Sequence, residues 1–463
     1  MMRMSLFAGI LGKRKITSRI TMVSSCRPLN PSGSVPAQFL REKLLIILLA
    51  SFLISGVFFM LIPGTLLGVL NLIQIGSQHN ARAVALAWIQ AHGHAQLFGW
   101  IGTFILGIGF YSIPNLRKLC SFNFVEGWLC LLFWTAGVGL RWFTVTSGFE
   151  WRFLLPLSSI LEFAVVAYFV YLSFKGTRLA ASGKKLETWS VSLIAGSMVW
   201  LILMFANVLI TFDLLSSSAP LLPAVVGRKF LFASVWAFII PIVWGLSARW
   251  LPSLLRLKTQ NQSLLKTSVL FNLLASLAYV LGIPVIPESI LLVSSCLFVS
   301  GMNLLAMPEK KEKSESNYFP SFPIFVRVAY GWLIVSSVLF LASALYPDAL
   351  GTAGAARHAI TVGFLSGMVF SVGPRVLPAF LGRKKGFCPP AVMVALTLLS
   401  VGCFLRVSSQ ILSYDFSVSA FWSVLPVSAL IELLAMTIFF FNILFSLREK
   451  PAIEEIVRAY SRG

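Results

Sequence analysis

The chain has 463 residues, of which 57% are hydrophobic and 11% charged, and its formal net charge is +21. A soluble domain carries about a quarter charged residues, so this composition excludes a soluble globular enzyme and places the chain in a membrane. The six cysteines (Cys26, Cys120, Cys130, Cys296, Cys388, Cys403) show neither metal-ligand nor thiol-redox spacing, which argues against a cysteine-held metal and for packing roles.

Residues 1–43 are basic, contain Pro, Ser and Gly, and lack the apolar run of a signal peptide; they read as an arm lying on anionic lipid. Twelve apolar segments follow, at 44–66, 84–113, 125–146, 153–174, 187–211, 226–250, 266–283, 288–306, 322–346, 355–380, 389–413 and 419–446, with a tail at 448–463. A helix needs about 20 apolar residues to cross hydrocarbon, so each segment is a candidate span. Lys and Arg cluster before span 1 and after spans 2, 4, 6, 8, 10 and 12, for example Arg117 with Lys118 and Lys310 with Lys311, and the alternate loops are poor in them. This two-beat pattern predicts an all-α polytopic membrane protein with twelve transmembrane helices and both termini cytoplasmic. It also explains the positive charge through the lipid bilayer, without a nucleic-acid partner.

Only four histidines occur, His79, His92, His94 and His358. The segment "HAQLFGWIGTFILGIGFYSIP" in span 2 begins at His94, and "HAITVGFLSGMVFSVGPRVLP" in span 10 begins at His358. "FASVWAFIIPIVWGLSARWLP" in span 6 aligns with both, with Phe232 at the histidine position and Arg249 opposite Arg375. Spans 2, 6 and 10 are four helices apart, so the membrane domain, 44–447, reads as three four-helix pseudo-repeats, about 44–175, 187–306 and 322–447. Units one and three share more. "GVGLRWF" in span 3 sets Arg141 opposite Arg406 of "GCFLRVS", and "LPLSSILEF" sets Glu162 opposite Glu432 of "LPVSALIEL". The middle unit places Val293 at the glutamate position and has no matching arginine.

A charged residue at mid-membrane costs about 2.5–3.5 kcal/mol on insertion scales, so those that persist face the bundle interior and have work to do. His94 and His358 sit at equivalent depth in the outer half of the membrane, and two imidazoles from facing helices can fill both axial positions of a low-spin haem. Arg141 and Arg406, at the outer ends of spans 3 and 11, lie at a depth suited to the haem propionates, which guanidinium groups match in a bidentate way. His92 and His94 are two residues apart and point about 200° from each other on a helix, so both cannot bind one metal. His92 is either a second ligand or a packed helix-end residue. Glu162 and Glu432 admit two readings, proton handling or orientation of a ligand histidine on one side, a structural interhelical hydrogen bond or ion pair on the other. Arg249 and Arg375 fit snorkelling to headgroups.

The stretches "AHGHAQLFGW…GFYSIPN", "GLSARWLP" and "RHAITVGFLSGMVFSVGPRVLPAFLGR" together resemble the histidine helices and the middle Arg-x-x-Pro segment of the NnrS family. The resemblance implies a haem- and copper-containing protein of the bacterial inner membrane, linked to nitric oxide metabolism and resistance. It points to His92, His94 and His358 as metal or haem ligands, with a b-type haem, copper as a further cofactor, and a cytochrome c-type or quinol electron donor. The twelve-helix layout is also similar to subunit I of haem–copper oxidases, whose low-spin haem is held from helices 2 and 10. Those oxidases draw copper ligands from the region of helices 6 and 7, which contain no histidine here. That likeness implies an oxidase-like subunit without a full binuclear centre. A twelve-span secondary transporter is the alternative outside redox chemistry, since transporters also carry internal repeats and intramembrane charges.

Overall fold

A computed structural model describes residues 35–116, 123–147, 150–174, 187–217, 221–306, 321–382 and 387–448. The expected tail and most of the N-terminal arm lie outside these residues, although helix already runs from Val35. The described chain is all-helical, and twelve long helices form it: α1 (Leu40–Gln78), α2 (Leu86–Ile113), α3 (Phe124–Thr146), α4 (Leu154–Phe174), α5 (Thr188–Ser216), α6 (Ala224–Leu255), α7 (Gln262–Leu281), α8 (Ile286–Gly301), α9 (Phe322–Leu345), α10 (Leu350–Phe380), α11 (Pro389–Tyr414) and α12 (Ala420–Arg448). Eleven are long and apolar enough to cross a membrane, and α8 is a shorter apolar helix.

Several ends differ from the sequence expectation: α5 and α6 run five residues further, α10 begins five residues earlier, and α1 and α8 also differ. α1 does not stop near Pro63 and Gly64 but continues to Gln78, because the backbone widens into a π-helical segment at Met60–Leu66. A π-turn takes up the missing proline N–H and moves the ring off the preceding carbonyl, so the helix survives a residue that would otherwise break it. α8 ends at Gly301 rather than near 306, and Asn303 just beyond adopts positive φ.

Each helix packs on the next in sequence, and α12 returns to pack along α1, so the twelve helices close into a ring. α2, α6 and α10, with α1, bury the largest shares of their surface. The three inner helices meet through aromatic rings: Phe98 with Phe238 (centroids 6.4 Å), Tyr111 with Phe380 (5.2 Å) and Trp250 with Phe380 (5.8 Å). Burying rings of this size supplies much of the packing at the axis. Each inner helix also carries a π-helical segment, Ala95–Gly102, Ser234–Ile239 and Ala359–Ser366, starting one or two residues after His94, Phe232 and His358. Widenings of this kind often mark functional positions.

Candidate functional site

Among the buried polar residues, two clusters lie on opposite sides of α2. The first lies among α2, α3, α4 and α5. His94 Nε2 is 2.8 Å from Glu162 Oε1, and both side chains are buried. Arg141 on α3 donates from Nη1 to Asn207 Oδ1 on α5 at 2.9 Å and lies within electrostatic range of Glu162 and His94. Glycine makes the glutamate's seat: a Cβ at Gly137 would lie 2.9 Å from Glu162 Cγ. Glu162 Oε2 and Asn207 Nδ2 have no hydrogen-bond partner.

The second cluster draws on α1, α2, α10, α11 and α12. His92 Nδ1 is 2.9 Å from the Gly64 carbonyl of α1, and His358 Nδ1 is 3.0 Å from the Gly354 carbonyl one turn earlier in α10. His358 lies within electrostatic range of His92 and Arg406. Arg406 lies beside Tyr414 and within range of Glu432. Gly402 repeats the role of Gly137, since a Cβ there would lie 2.8 Å from Glu432 Cγ. Arg406 Nε and Nη1 and Glu432 Oε1 are buried without hydrogen-bond partners.

These positions revise the expected site. His94 and His358, expected as a facing pair, have different polar neighbours here. The Nε2 of His94 is committed to Glu162, and the imidazole in range of His358 is that of His92. The cause is the 200° divergence of residues two apart on α2, which sends the two rings into different compartments. Arg141 likewise belongs to the His94 cluster, away from Arg406. In the middle unit, Phe232 stacks on Tyr279 of α7 with centroids 3.6 Å apart, so hydrocarbon fills the position aligned with the histidines. Val293, aligned with the glutamates, is 48% exposed, while Leu291 is fully buried. The burial pattern of α8 therefore puts Leu291 on the inner face.

Hydrogen bonding fixes the tautomers of the second cluster. A carbonyl only accepts, so His92 and His358 each carry the proton on Nδ1 and leave an Nε2 lone pair. Backbone carbonyls holding Nδ1–H are the usual outer support of a metal-ligating histidine. Both residues are half-buried. Two nitrogen donors and a guanidinium with unpaired N–H groups fit an iron held by two imidazoles on a ligand that bears carboxylates. Among the described residues no group of three or more His, Cys, Asp or Glu side chains gathers as a metal cage, and His94 with Glu162 offers one nitrogen and one carboxylate.

Asp415 was not legible as a site residue. It follows α11 and accepts from the Gly351 and Thr352 amides (both 2.7 Å) and from Thr352 Oγ1 (2.8 Å). A carboxylate at a helix N-terminus caps open N–H groups and complements the helix dipole. It thus ties the start of α10, two turns before His358, to the end of α11. Its only signal in sequence was an acidic residue in a chain holding 16 of them.

The ring of twelve helices in the described chain, with two buried polar clusters, defines an all-α polytopic membrane protein. Among solved structures, the chain is similar to a heme-copper terminal oxidase dimer determined by cryo-EM, with TM-score 0.68, 11% identity, and coverage of 88% of this chain and 85% of that one. At that identity the likeness shows a common fold. A family model for a domain of unknown function, DUF8744, matches residues 320–442, which hold His358, Arg406 and Glu432. No curated protein matches the sequence.

Proposed function

We propose that this protein is a membrane haem protein that holds one b-type haem between His92 and His358. The observation that carries the proposal is the pair of imidazoles on α2 and α10, each with Nδ1–H bound to a backbone carbonyl and Nε2 free. Arg406 is the residue placed to bind a propionate, with two unpaired N–H groups in a buried setting. Glu432 offsets the guanidinium charge. A haem with two axial imidazoles supplies one-electron transfer. The protein's part is to fix both tautomers, exclude water by closing the helix ring, and neutralise buried carboxylates.

The oxidase-like fold supports a redox task at this site and an electron donor of the cytochrome c or quinol class. The motif resemblance to the NnrS family directs that task to nitric oxide handling. Copper has no comparable ligand set in either cluster, so the proposal rests on haem alone. By the positive-inside pattern, the haem lies toward the periplasmic side of a bacterial inner membrane.

Optical spectroscopy of the purified protein tests this. The wild type shows a low-spin Soret band and stoichiometric iron. His92→Ala and His358→Ala each lose the low-spin spectrum, while His94→Ala keeps it. A colourless wild type, or loss of the band in His94→Ala with retention in His92→Ala, overturns the assignment.

A further inference from the structure

His79 stands outside both polar clusters, and it is the one exposed histidine of the four. It closes α1 in the left-handed conformation (φ 47°), with the His79 and Asn80 amides donating to the Gly76 and Ile75 carbonyls. Its ring stacks on Trp422 of α12, with centroids 5.8 Å apart and planes 13° from parallel. Trp422 stacks in turn on Tyr414 at the end of α11, at 5.1 Å and 27°. Tyr414 lies beside Arg406, close enough for its hydroxyl to meet the guanidinium. Two ring contacts and one polar contact therefore join an exposed imidazole to the residue assigned to a haem propionate.

The seat of this stack is tight. Trp422 is 9% exposed and shares a small core with Leu72, Ile75, Val84 and Leu425, against which Tyr414 packs. A Cβ at Gly76 would lie 2.7 Å from the Trp422 carbonyl, so α1 and α12 meet there without a gap. Aromatic rings at these separations and tilts are in offset-stacked contact. Electron tunnelling decays exponentially with distance, and it decays more slowly through contacting π-systems than through solvent or loosely packed atoms.

We infer that His79, Trp422, Tyr414 and Arg406 form an electron-entry route from the outer aqueous face, used by a water-soluble one-electron carrier. The inference rests on the haem assignment. The carrier loses one electron, and the iron held by His92 and His358 gains it, passing from ferric to ferrous. No bond forms or breaks and no proton moves, and the rings serve as a tunnelling medium without being oxidised themselves. The exposed end of the route selects the carrier. His79, Asn80 and Arg82 are open to solvent in the loop after α1, on the outer side by the positive-inside pattern, whereas a quinol donates from within the hydrocarbon.

A bis(bipyridine)ruthenium label coordinated to His79 tests the route in the full-length protein in lipid nanodiscs; the other three histidines are buried or half-buried. Flash photolysis injects an electron at the label, and the Soret change reads its arrival. Trp422→Leu and Tyr414→Leu each slow arrival at least tenfold, whereas Trp422→Phe, which keeps a ring, retains most of the rate. All three keep the resting spectrum of the wild type. Flash-oxidised to ruthenium(III), a stronger oxidant, the same label draws an electron from Trp422. A transient tryptophan-radical absorbance then appears in the wild type and not in Trp422→Phe, a readout that needs no haem. Equal arrival rates in the wild type and both leucine variants, no radical signal, or a haem reduced by duroquinol and not by aqueous hexaammineruthenium(II) overturns the route and leaves the haem standing. A colourless wild type overturns both.

Discussion

His92 donates its Nδ1–H to the Gly64 carbonyl at 2.9 Å, and its ring rests on Gly68, where a Cβ would lie 2.7 Å from Cε1. The orientation of the ring is thus set from α1, one carbonyl aiming it and one missing side chain making room. Gly64 lies in the π-helical segment with Pro63, whose carbonyl accepts from Trp142 Nε1 at 3.3 Å. Widening the helix there exposes successive carbonyls to donors on α2 and α3. Gly68→Ala forces the ring or the helix to move, and overpacking of this kind costs about 1–3 kcal/mol. The expected result is a lower apparent unfolding temperature and less haem per protein, read by absorbance against total protein. Retention of full haem content in Gly68→Ala would show that the ring of His92 is not the ligand.

Glu162 offers a separate test, because its cluster plays no part in the haem assignment. Replacing it with leucine strips His94 Nε2 of its partner at 2.8 Å and the buried Arg141 guanidinium of a nearby carboxylate, and leaving such buried groups uncompensated costs about 1–3 kcal/mol each. Arg141→Met alone leaves Glu162 uncompensated and is expected to cost a similar amount. The double variant removes both charges and recovers at least half the loss, a coupling that a double-mutant cycle on thermal unfolding measures. Through all of these the Soret band stays where it is in the wild type. Additive losses would mean that the two charges do not sense each other.

The twelve helices were legible because hydrophobic length and loop charge are strong signals in a bilayer, and most ends fall within a few residues of expectation. α1 runs on to Gln78, well past the expected 66, because a π-helical segment inside the packed bundle absorbs Pro63 and Gly64. That His92 and His94 face different compartments was also legible, from helical periodicity alone. Which of them meets His358 was not. That depends on the rotation of α2 about its axis, set by close contacts with α1 such as Gly68 against His92. Asp415 and Asn207 could not be found from sequence, since neither has a partner in the repeat alignment and each acts through a helix distant in the chain.

Asp415 holds the start of α10 by three hydrogen bonds. Loss of an N-terminal cap costs about 0.5–2 kcal/mol. Asp415→Ala should therefore fray the first turn of α10 without unfolding the bundle. Hydrogen exchange at the amides of Gly351 and Thr352 is expected to rise at least tenfold, with amides beyond Ala359 unchanged. Haem dissociation quickens because His358 is two turns from the freed end. Asp415→Asn keeps one acceptor oxygen and falls between the two. Unchanged exchange at Gly351 in Asp415→Ala would remove this residue from any positioning role.

Gly137 and Gly402 stand four residues before Arg141 and Arg406 and seat Glu162 and Glu432 in the same way, which makes them a direct test of the repeat. A Cβ at Gly137 would lie 2.9 Å from both Glu162 Cγ and the Ser158 carbonyl, and one at Gly402 would lie 2.8 Å from Glu432 Cγ and 3.3 Å from the Ser428 carbonyl. Helices that approach this closely through a small residue tolerate no methyl group without moving apart. Gly137→Ala and Gly402→Ala are each expected to cost about 1–3 kcal/mol, and by similar amounts if units one and three derive from one four-helix ancestor. Their spectra should nevertheless differ. In Gly402→Ala the displaced Glu432 disturbs Arg406 beside the proposed haem and shifts the Soret band. In Gly137→Ala the displacement falls on His94, whose ring lies in the other compartment, and the spectrum holds. Equal destabilisation with unequal spectra is the outcome the two clusters require, and a spectral change confined to Gly137→Ala would exchange their roles.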